Sequence, residues 1–218
     1  MRCAVMWSGG KDSALAAHRA RRNGDEIACL VNFYDAATGR VRFHATRTEL
    51  ISAQADAIGV PLVQRGATWP GFEDAFRDTV EHLRRDGIEA IVFGDIHLSD
   101  VRAWYETRVR AAGLAHIEPL WGDEPREVLT EFVASGGRAV ITCCESKKLD
   151  ESWLGRVIDD RFVREIADVP IDPCGENGEY HSFAFAGPLF RWPVAHTLGG
   201  RRSDGRFVQL DLLGAPSR

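Results

Sequence analysis

The feature that most limits how this chain can fold is a break near its start. A short apolar run, Cys3-Ala4-Val5-Met6-Trp7, stops at Ser8-Gly9-Gly10-Lys11-Asp12-Ser13 and is followed by Ala14-Leu15-Ala16-Ala17-His18-Arg19-Ala20, which has the composition of a helix. A buried strand that ends in two glycines and restarts as a helix leaves backbone N–H groups bare at a helix N-terminus. The orphan donors and the helix dipole both favour an anion there. Ser8, Lys11 and Ser13 add side-chain donors. Asp12 is the odd member, since a carboxylate beside a phosphate site makes sense when a divalent cation such as magnesium bridges the two. The spacing is not that of Walker A, which needs G-x-x-x-x-G-K-[ST]. The plainer alternative is a glycine turn with a lysine in solvent; the strand–loop–helix setting favours the anion cradle.

Downstream, apolar runs alternate with helical periods. Strands are predicted over 27–33, 62–64 and 88–93 and around His116-Ile117-Glu118; helices are predicted over 46–58, through Phe72, Phe76, Val80 and Leu83, and over 100–112. This βαβ alternation predicts an α/β fold with a doubly wound parallel sheet. Ligands of such sheets sit beyond the carboxyl ends of the strands. Ser8, Asn32, Gly94-Asp95 and Leu120-Trp121 all fall at those ends and are expected to converge. The turn cluster Gly122-Asp123-Glu124-Pro125 suggests a boundary, with a nucleotide-binding domain over 1–122 and a smaller α/β domain over 123–218. The second part reads as helices at 127–135 and 160–166, a strand at 138–143, a loop at 149–156 holding Trp153, and a hairpin turning at Asp204-Gly205.

Charge and cysteines narrow the function. A formal net charge of −5 is no electrostatic footprint for nucleic acid, so a small-molecule or protein-borne substrate is expected instead. No stretch approaches the apolar length of a membrane helix, and the run after Arg2 is too short for a signal peptide; the expectation is a cytoplasmic protein. Five cysteines with no C-x-x-C pair argue against a disulfide framework or a structural zinc.

A second chemically dense stretch is Cys174-Gly175-Glu176-Asn177-Gly178-Glu179-Tyr180-His181-Ser182-Phe183. Its glycines and carboxylates make a poor core segment. Glu176 and Glu179 could direct acceptors at an amine, ammonia or a magnesium ion, and His181 could serve as a general acid or base. The alternative is a solvated acidic turn leading into a strand.

The Ser8–Ser13 stretch resembles the PP-loop of the N-type ATP pyrophosphatases, which cleave ATP between its α and β phosphates. Together with Leu149-Asp150-Glu151-Ser152-Trp153-Leu154-Gly155-Arg156 and the late Gly-Glu-Asn-Gly-Glu stretch, it resembles the diphthine–ammonia ligase branch of that superfamily. His44, Glu49-Leu50, Gln54-Ala55, the run 58–62 and Pro119-Leu120-Trp121-Gly122 add to the likeness, which covers about Val5 to Phe190. The late stretch departs from the archaeal pattern at Asn177 and His181, and 94–98 with Arg102 and Tyr105 looks like the bacterial branch. The resemblance implies an adenine nucleotide alpha-hydrolase-like (HUP) domain, ATP and Mg2+, and an enzyme that adenylates a carboxylate and passes ammonia to it. The acceptor it implies is diphthine or, in bacteria, another carboxylate such as a cobamide-type intermediate.

On that resemblance Ser8, Gly9, Gly10, Lys11, Asp12 and Ser13 hold the phosphates, with Asp12 positioning magnesium. Asn32, His44 and Gly94 border the nucleotide. Lys11, Asp12, Glu176, Glu179 and His181 carry the chemistry. Asp95, Arg102, Tyr105 and Arg156 face the acceptor. His44 could instead cap a helix, and Trp153 reads better as a packing anchor. The rival readings are a tRNA-thiolating enzyme of the same superfamily and a protein that holds ATP or AMP without turnover. Free ammonia or a partner supplies the nitrogen, and a homodimer is an open expectation.

Overall fold

The structure is a computed structural model and describes residues 1–214. Residues 215–218, the end of the expected second domain, lie outside the described residues. The chain begins β1 (Arg2–Met6), α1 (Lys11–Arg22), β2 (Glu26–Asp35), β3 (Arg40–Val41), α2 (Thr48–Ile58), β4 (Leu62–Ala67), α3 (Phe72–Arg85), β5 (Ala90–Val92), α4 (Ser99–Ala111) and β6 (Ala115–Ile117). Parallel pairing sets the order β4-β2-β1-β5-β6, and β3 adds an antiparallel extension at Tyr34 and Asp35. The direction of winding reverses at β1, which opens a crevice beyond the carboxyl ends of β1 and β5. This is the expected doubly wound α/β sheet.

The central strands β1, β2 and β5 read as largely apolar runs because both faces are covered. Cys3 and Val5 belong to one core with Leu30, Ala90 and Val92. Ala4 belongs to the other, with Val31, Ile91 and Phe93. The period of two thus sends alternate residues of a strand into separate layers. Phe76, Val80 and Leu83 of α3 and Val109 of α4 close the second layer. The first is closed by α1, α2 and the rest of the chain.

That remainder holds α5 (Pro125–Ala134), β7 (Arg138–Glu145), β8 (Val157–Ile158), α6 (Asp160–Ile166), β9 (Tyr180–Ala186), β10 (His196–Ser203) and β11 (Phe207–Gly214). Its sheet is antiparallel throughout. β7 pairs with β9 along one edge and with β8 and then β11 along the other, and β10 pairs with β11. Tyr180, His181 and Ser182, expected in the late loop, are the first residues of β9. Among the described residues no helix is long and apolar enough to cross a membrane.

Polar side chains join the halves, among them Arg19 and Gln54. Arg19 of α1 donates to the Pro119 carbonyl at 2.7 Å and pairs with Asp123 and Glu131. Gln54 of α2 is fully buried. Its Nε2 donates to the carbonyls of Gly9 (2.9 Å) and Ala184 (2.6 Å), and its Oε1 accepts from the Trp7 indole N–H at 2.7 Å. Burying such groups without partners is expensive. We therefore expect Gln54→Leu to lower stability by about 3 kcal/mol in urea denaturation, because at least two buried polar atoms lose their partner. A loss under about 1 kcal/mol would mean that water replaces the amide without penalty.

Candidate functional site

The Ser8–Ser13 turn is shaped by what surrounds its glycines. Gly9 has φ +84°, and a Cβ there would lie 2.6 Å from Ile51 Cδ1. Left-handed backbone and absent space both demand glycine. The Gly9 carbonyl faces inward and accepts the Ala184 N–H at 2.8 Å. Gly10 precedes α1 with extended backbone and no local side-chain cap. Ser8 Oγ accepts the Gly10 N–H at 3.2 Å and lies 3.3 Å from Ser13 Oγ. Gly94 closes the far side, since a Cβ there would meet the backbone of Asp12 and Ser13 at 2.9 Å.

The cap of α1 comes from the other half of the molecule. The Lys11 N–H donates to Ser182 Oγ of β9 at 3.2 Å. The Lys11 ammonium is buried, within 2.7 and 2.8 Å of the two Asp12 oxygens, and donates to the Cys174 carbonyl. It also stands 5.2 Å from the centre of the Tyr180 ring. Burial is the largest single influence and opposes the charged ammonium, but Asp12, Tyr180 and Cys174 together outweigh it, and the Lys11 pKa stands well above the ordinary lysine value. The late loop is itself tied down: Asp172 Oδ1 takes the Cys174 N–H at 2.7 Å, and the Tyr180 hydroxyl donates to the Pro173 carbonyl at 2.6 Å.

These elements open onto one cavity of about 1230 Å³. Ser8, Lys11, Asp12 and Ser13 line it, as do Asn32, His44, Gly94, Asp95, Tyr105, Glu176 and His181. Glu176 Oε1 accepts the Ile96 N–H at 2.9 Å, so its carboxylate is fixed beside Asp95 at the end of β5. Desolvation first, then the nearby Asp12 charge, pushes Asp95 up to about 6 and Glu176 to about 7. The Asn32 amide donates to the Trp7 carbonyl at 2.8 Å and thereby joins β2 to the end of β1. His44 Nδ1 is 3.0 Å from the Ser182 carbonyl, so that nitrogen carries the proton and Nε2 is left bare.

The structure corrects several sequence expectations. His181 does not titrate near neutrality: desolvation, with His44 and Lys11 adjacent, holds its imidazole well below the usual range. Gly9 and Gly10 shape the turn but do not line the cavity. Glu179 lies outside it, buried, with Oε1 3.5 Å from Lys148 Nζ. Arg102 is outside as well, 3.1 Å from Glu118 and 4.4 Å over the Trp121 ring. Arg156 pairs with Glu165 and stacks on Trp153, so it clamps no ligand in this arrangement.

Other lining residues went unread in the sequence. Phe33, Phe72 and Trp104 build an aromatic wall, with Phe72 5.2 Å from Phe33 and 5.6 Å from Trp104. Trp69 and Phe43 stand at the mouth, 70% and 51% exposed. Exposed large aromatics on a concave surface mark a ligand site rather than a core. The available signal was their clustering in Arg42-Phe43-His44 and Trp69-Pro70-Gly71-Phe72, segments that also lack a clean helical or strand period.

A nucleotide-type turn at the mouth of a parallel sheet, closed by a loop from a second sheet, defines a two-part α/β ligand-binding architecture. Residues 1–116 match the family model described as the diphthamide synthase N-terminal domain, and residues 124–201 match the diphthamide synthase C-terminal domain. The chain belongs to the diphthamide synthase family. It is 26% identical to the diphthine–ammonia ligase of Bos taurus and 25% identical to that of Homo sapiens, in each case across 88% of this chain and 81% of the relative. A solved structure titled as a predicted subunit of tRNA methyltransferase from Methanocaldococcus jannaschii is 15% identical, with a TM-score of 0.46 over 76% of this chain and 87% of that one.

The raised carboxyls make stability depend on pH. Asp95 and Glu176 hold their protons more tightly folded than unfolded, so the unfolded chain binds fewer protons between the two sets of pKa values. Stability is therefore expected to fall as pH rises from about 4 to about 7. Asp95→Asn and Glu176→Gln should each flatten that decline by about 1 kcal/mol in urea titrations at pH 5 and pH 8. Unchanged slopes in both variants would show that neither carboxyl is protonated preferentially in the folded state.

Proposed function

We propose that the protein is an ATP-dependent ligase that adenylates a substrate carboxylate, releasing pyrophosphate, and then forms an amide with ammonia as AMP leaves. The observation that carries this reading is the closure of the 172–182 segment on the nucleotide turn. It places Glu176 in the same cavity as Ser8, Ser13 and the start of α1. The matched relatives are named diphthine–ammonia ligases, which supports a carboxylate and ammonia as the reacting pair.

A carboxylate at neutral pH is a poor electrophile with a poor leaving group, and conversion to an acyl phosphate ester supplies a good one. The hydroxyls of Ser8 and Ser13 and the first-turn N–H groups of α1 would take phosphate oxygens and offset charge on the departing pyrophosphate. Asp95 and Glu176, bases titrating near neutrality, would draw in ammonium and accept its proton, leaving the nitrogen lone pair free to attack. His44 and His181, held neutral, border this space without adding charge. Among the described residues no group of three or more His, Cys, Asp or Glu forms a ready metal cage. Asp12, a carboxylate at the head of α1, suits Mg2+, which takes one or two carboxylates plus substrate phosphates. Asp12 would hold it, and when bound it supplies charge neutralisation at the phosphates.

Thiolation is disfavoured by the cysteines. All five are buried, and desolvation pushes Cys143 and Cys144 up to about 12 and raises Cys174, which lines the cavity. A neutral thiol is a weak nucleophile and a poor sulfur carrier.

Incubation with ATP, Mg2+, ammonium and a panel of carboxylates should yield AMP and pyrophosphate in equal amounts; ADP and phosphate as products would refute adenylation. Glu176→Gln is expected to cut amide formation at least about 100-fold while ATP affinity stays within about twofold, the size of effect usual for a lost general base. Glu179→Gln, outside the cavity, should retain turnover.

A further inference from the structure

The cavity has an excess of negative charge. Asp12, Asp35, Glu73, Asp95, Asp100 and Glu176 line it, against two permanent cations, Lys11 and Arg42. Lys11 is already matched by Asp12 and turned toward the Cys174 carbonyl. A triphosphate entering this space brings several further negative charges. Arg42 is the cation left to meet them.

Its setting is that of a presented ligand. Arg42 lies on the strap between β3 and α2, its guanidinium carbon 3.9 Å from the centre of the Trp69 ring and 4.8 Å from that of Phe43. Among the described residues no salt bridge or hydrogen bond engages that guanidinium. Stacking holds the plane of the group against a ring face and leaves its N–H edge free for a bidentate oxyanion. The strap is braced at its base. Arg40 and Arg47 share Asp211 of β11, at 2.7 Å and at 3.0 and 2.6 Å. At its tip, Phe43 stacks on His181 with ring centres 5.9 Å apart, and His44 bonds to the Ser182 carbonyl. Phe43 and Ala45 both have left-handed backbone, at φ +65° and +58°. Residues other than glycine accept that conformation only where the surroundings impose it, and they cluster at ligand clamps.

We propose that Arg42 is a phosphate clamp that grips the terminal phosphoryl oxygens of ATP and then the pyrophosphate. The inference rests on the ATP reading above. A phosphoryl tail needs a free cation more than the single charge of an acceptor carboxylate does, because it adds several charges to a lining that is already acidic. Phe43, the next residue, also reaches the wall formed by His181, which neighbours Lys11.

The test is calorimetric binding of MgATP, pyrophosphate with Mg2+, and AMP to the wild type and to Arg42→Ala, Arg42→Lys and Trp69→Leu. Arg42→Ala should weaken MgATP and pyrophosphate about tenfold, as for loss of a charged hydrogen-bond pair, and leave AMP within about twofold. Arg42→Lys keeps the charge without the planar fork and should fall between. Trp69→Leu should weaken the same two ligands about threefold by freeing the guanidinium. Equal affinities for MgATP and pyrophosphate in wild type and Arg42→Ala would overturn the clamp while leaving the ATP reading standing. An equal loss for AMP would overturn it too, by showing that Arg42 only supports the strap. A folded wild type that binds no MgATP would remove both.

Discussion

The hydrogen bond from the Lys11 N–H to Ser182 Oγ is the contact around which the site is organised. A helix N-terminus is ordinarily capped by a serine, threonine or aspartate one residue before it. Here that position is Gly10, which the crowding of His44 and the Ser182 carbonyl keeps without a side chain. The cap is supplied from β9, 171 residues further along. The Lys11 ammonium repeats the arrangement by reaching the Cys174 carbonyl, and Gln54 does so again by joining Gly9 to Ala184. The nucleotide turn therefore has its final shape only when the second sheet is folded against it. Glu176, carried by the second half, is thereby held over the same cavity as Ser8, Asp12 and Ser13.

This closure also explains the electrostatics. Bringing the 172–182 segment over the ends of β1 and β5 withdraws Asp95 and Glu176 partly from water while leaving each facing Asp12. Desolvation and a like charge act in the same direction, so both carboxyls rise toward neutrality. Surface carboxylates of the same sequence would titrate near 4. The closure of the 172–182 segment on the Ser8–Ser13 turn thus also raises both carboxyls.

The first half of the fold was legible because its information is local. β1, the glycine turn and α1 follow from a short apolar run, two glycines and a helix-forming stretch, and β2 and β5 announce themselves as apolar runs buried in the sheet. The second half was less legible because antiparallel pairing around β7 depends on partners distant in sequence. Tyr180, His181 and Ser182 of β9 were read as part of the late loop because glycines and carboxylates precede them. Of the cavity lining, Ser8, Lys11, Asp12, Ser13, Asp95 and Glu176 were readable, whereas Glu179 was not separable from Glu176. The two differ only in which side of the Gly178 turn they occupy, and that is decided by Lys148 and by the Ile96 N–H. Arg102 and Arg156 looked like ligand clamps, but their partners Glu118 and Glu165 already satisfy them. Arg42 went unread because an exposed arginine in a polar segment acquires meaning only once Trp69 is beneath it.

Charge balance sets the remaining constraint on how the cavity works. Asp12 neutralises Lys11 in the present arrangement, and one carboxylate cannot fully serve both a buried ammonium and a divalent cation. A ligand that draws Asp12 away leaves the Lys11 ammonium with the Cys174 carbonyl, the Tyr180 ring face and whatever anion stands in the cavity. Lys11 is only 2% exposed, so that loss of a counter-charge must be made good from within the site. A phosphoryl group at the α1 N-terminus meets the requirement, since it brings negative charge to the one place where the backbone already favours it. The pairing of Lys11 with Asp12 therefore keeps an uncompensated cation out of the interior.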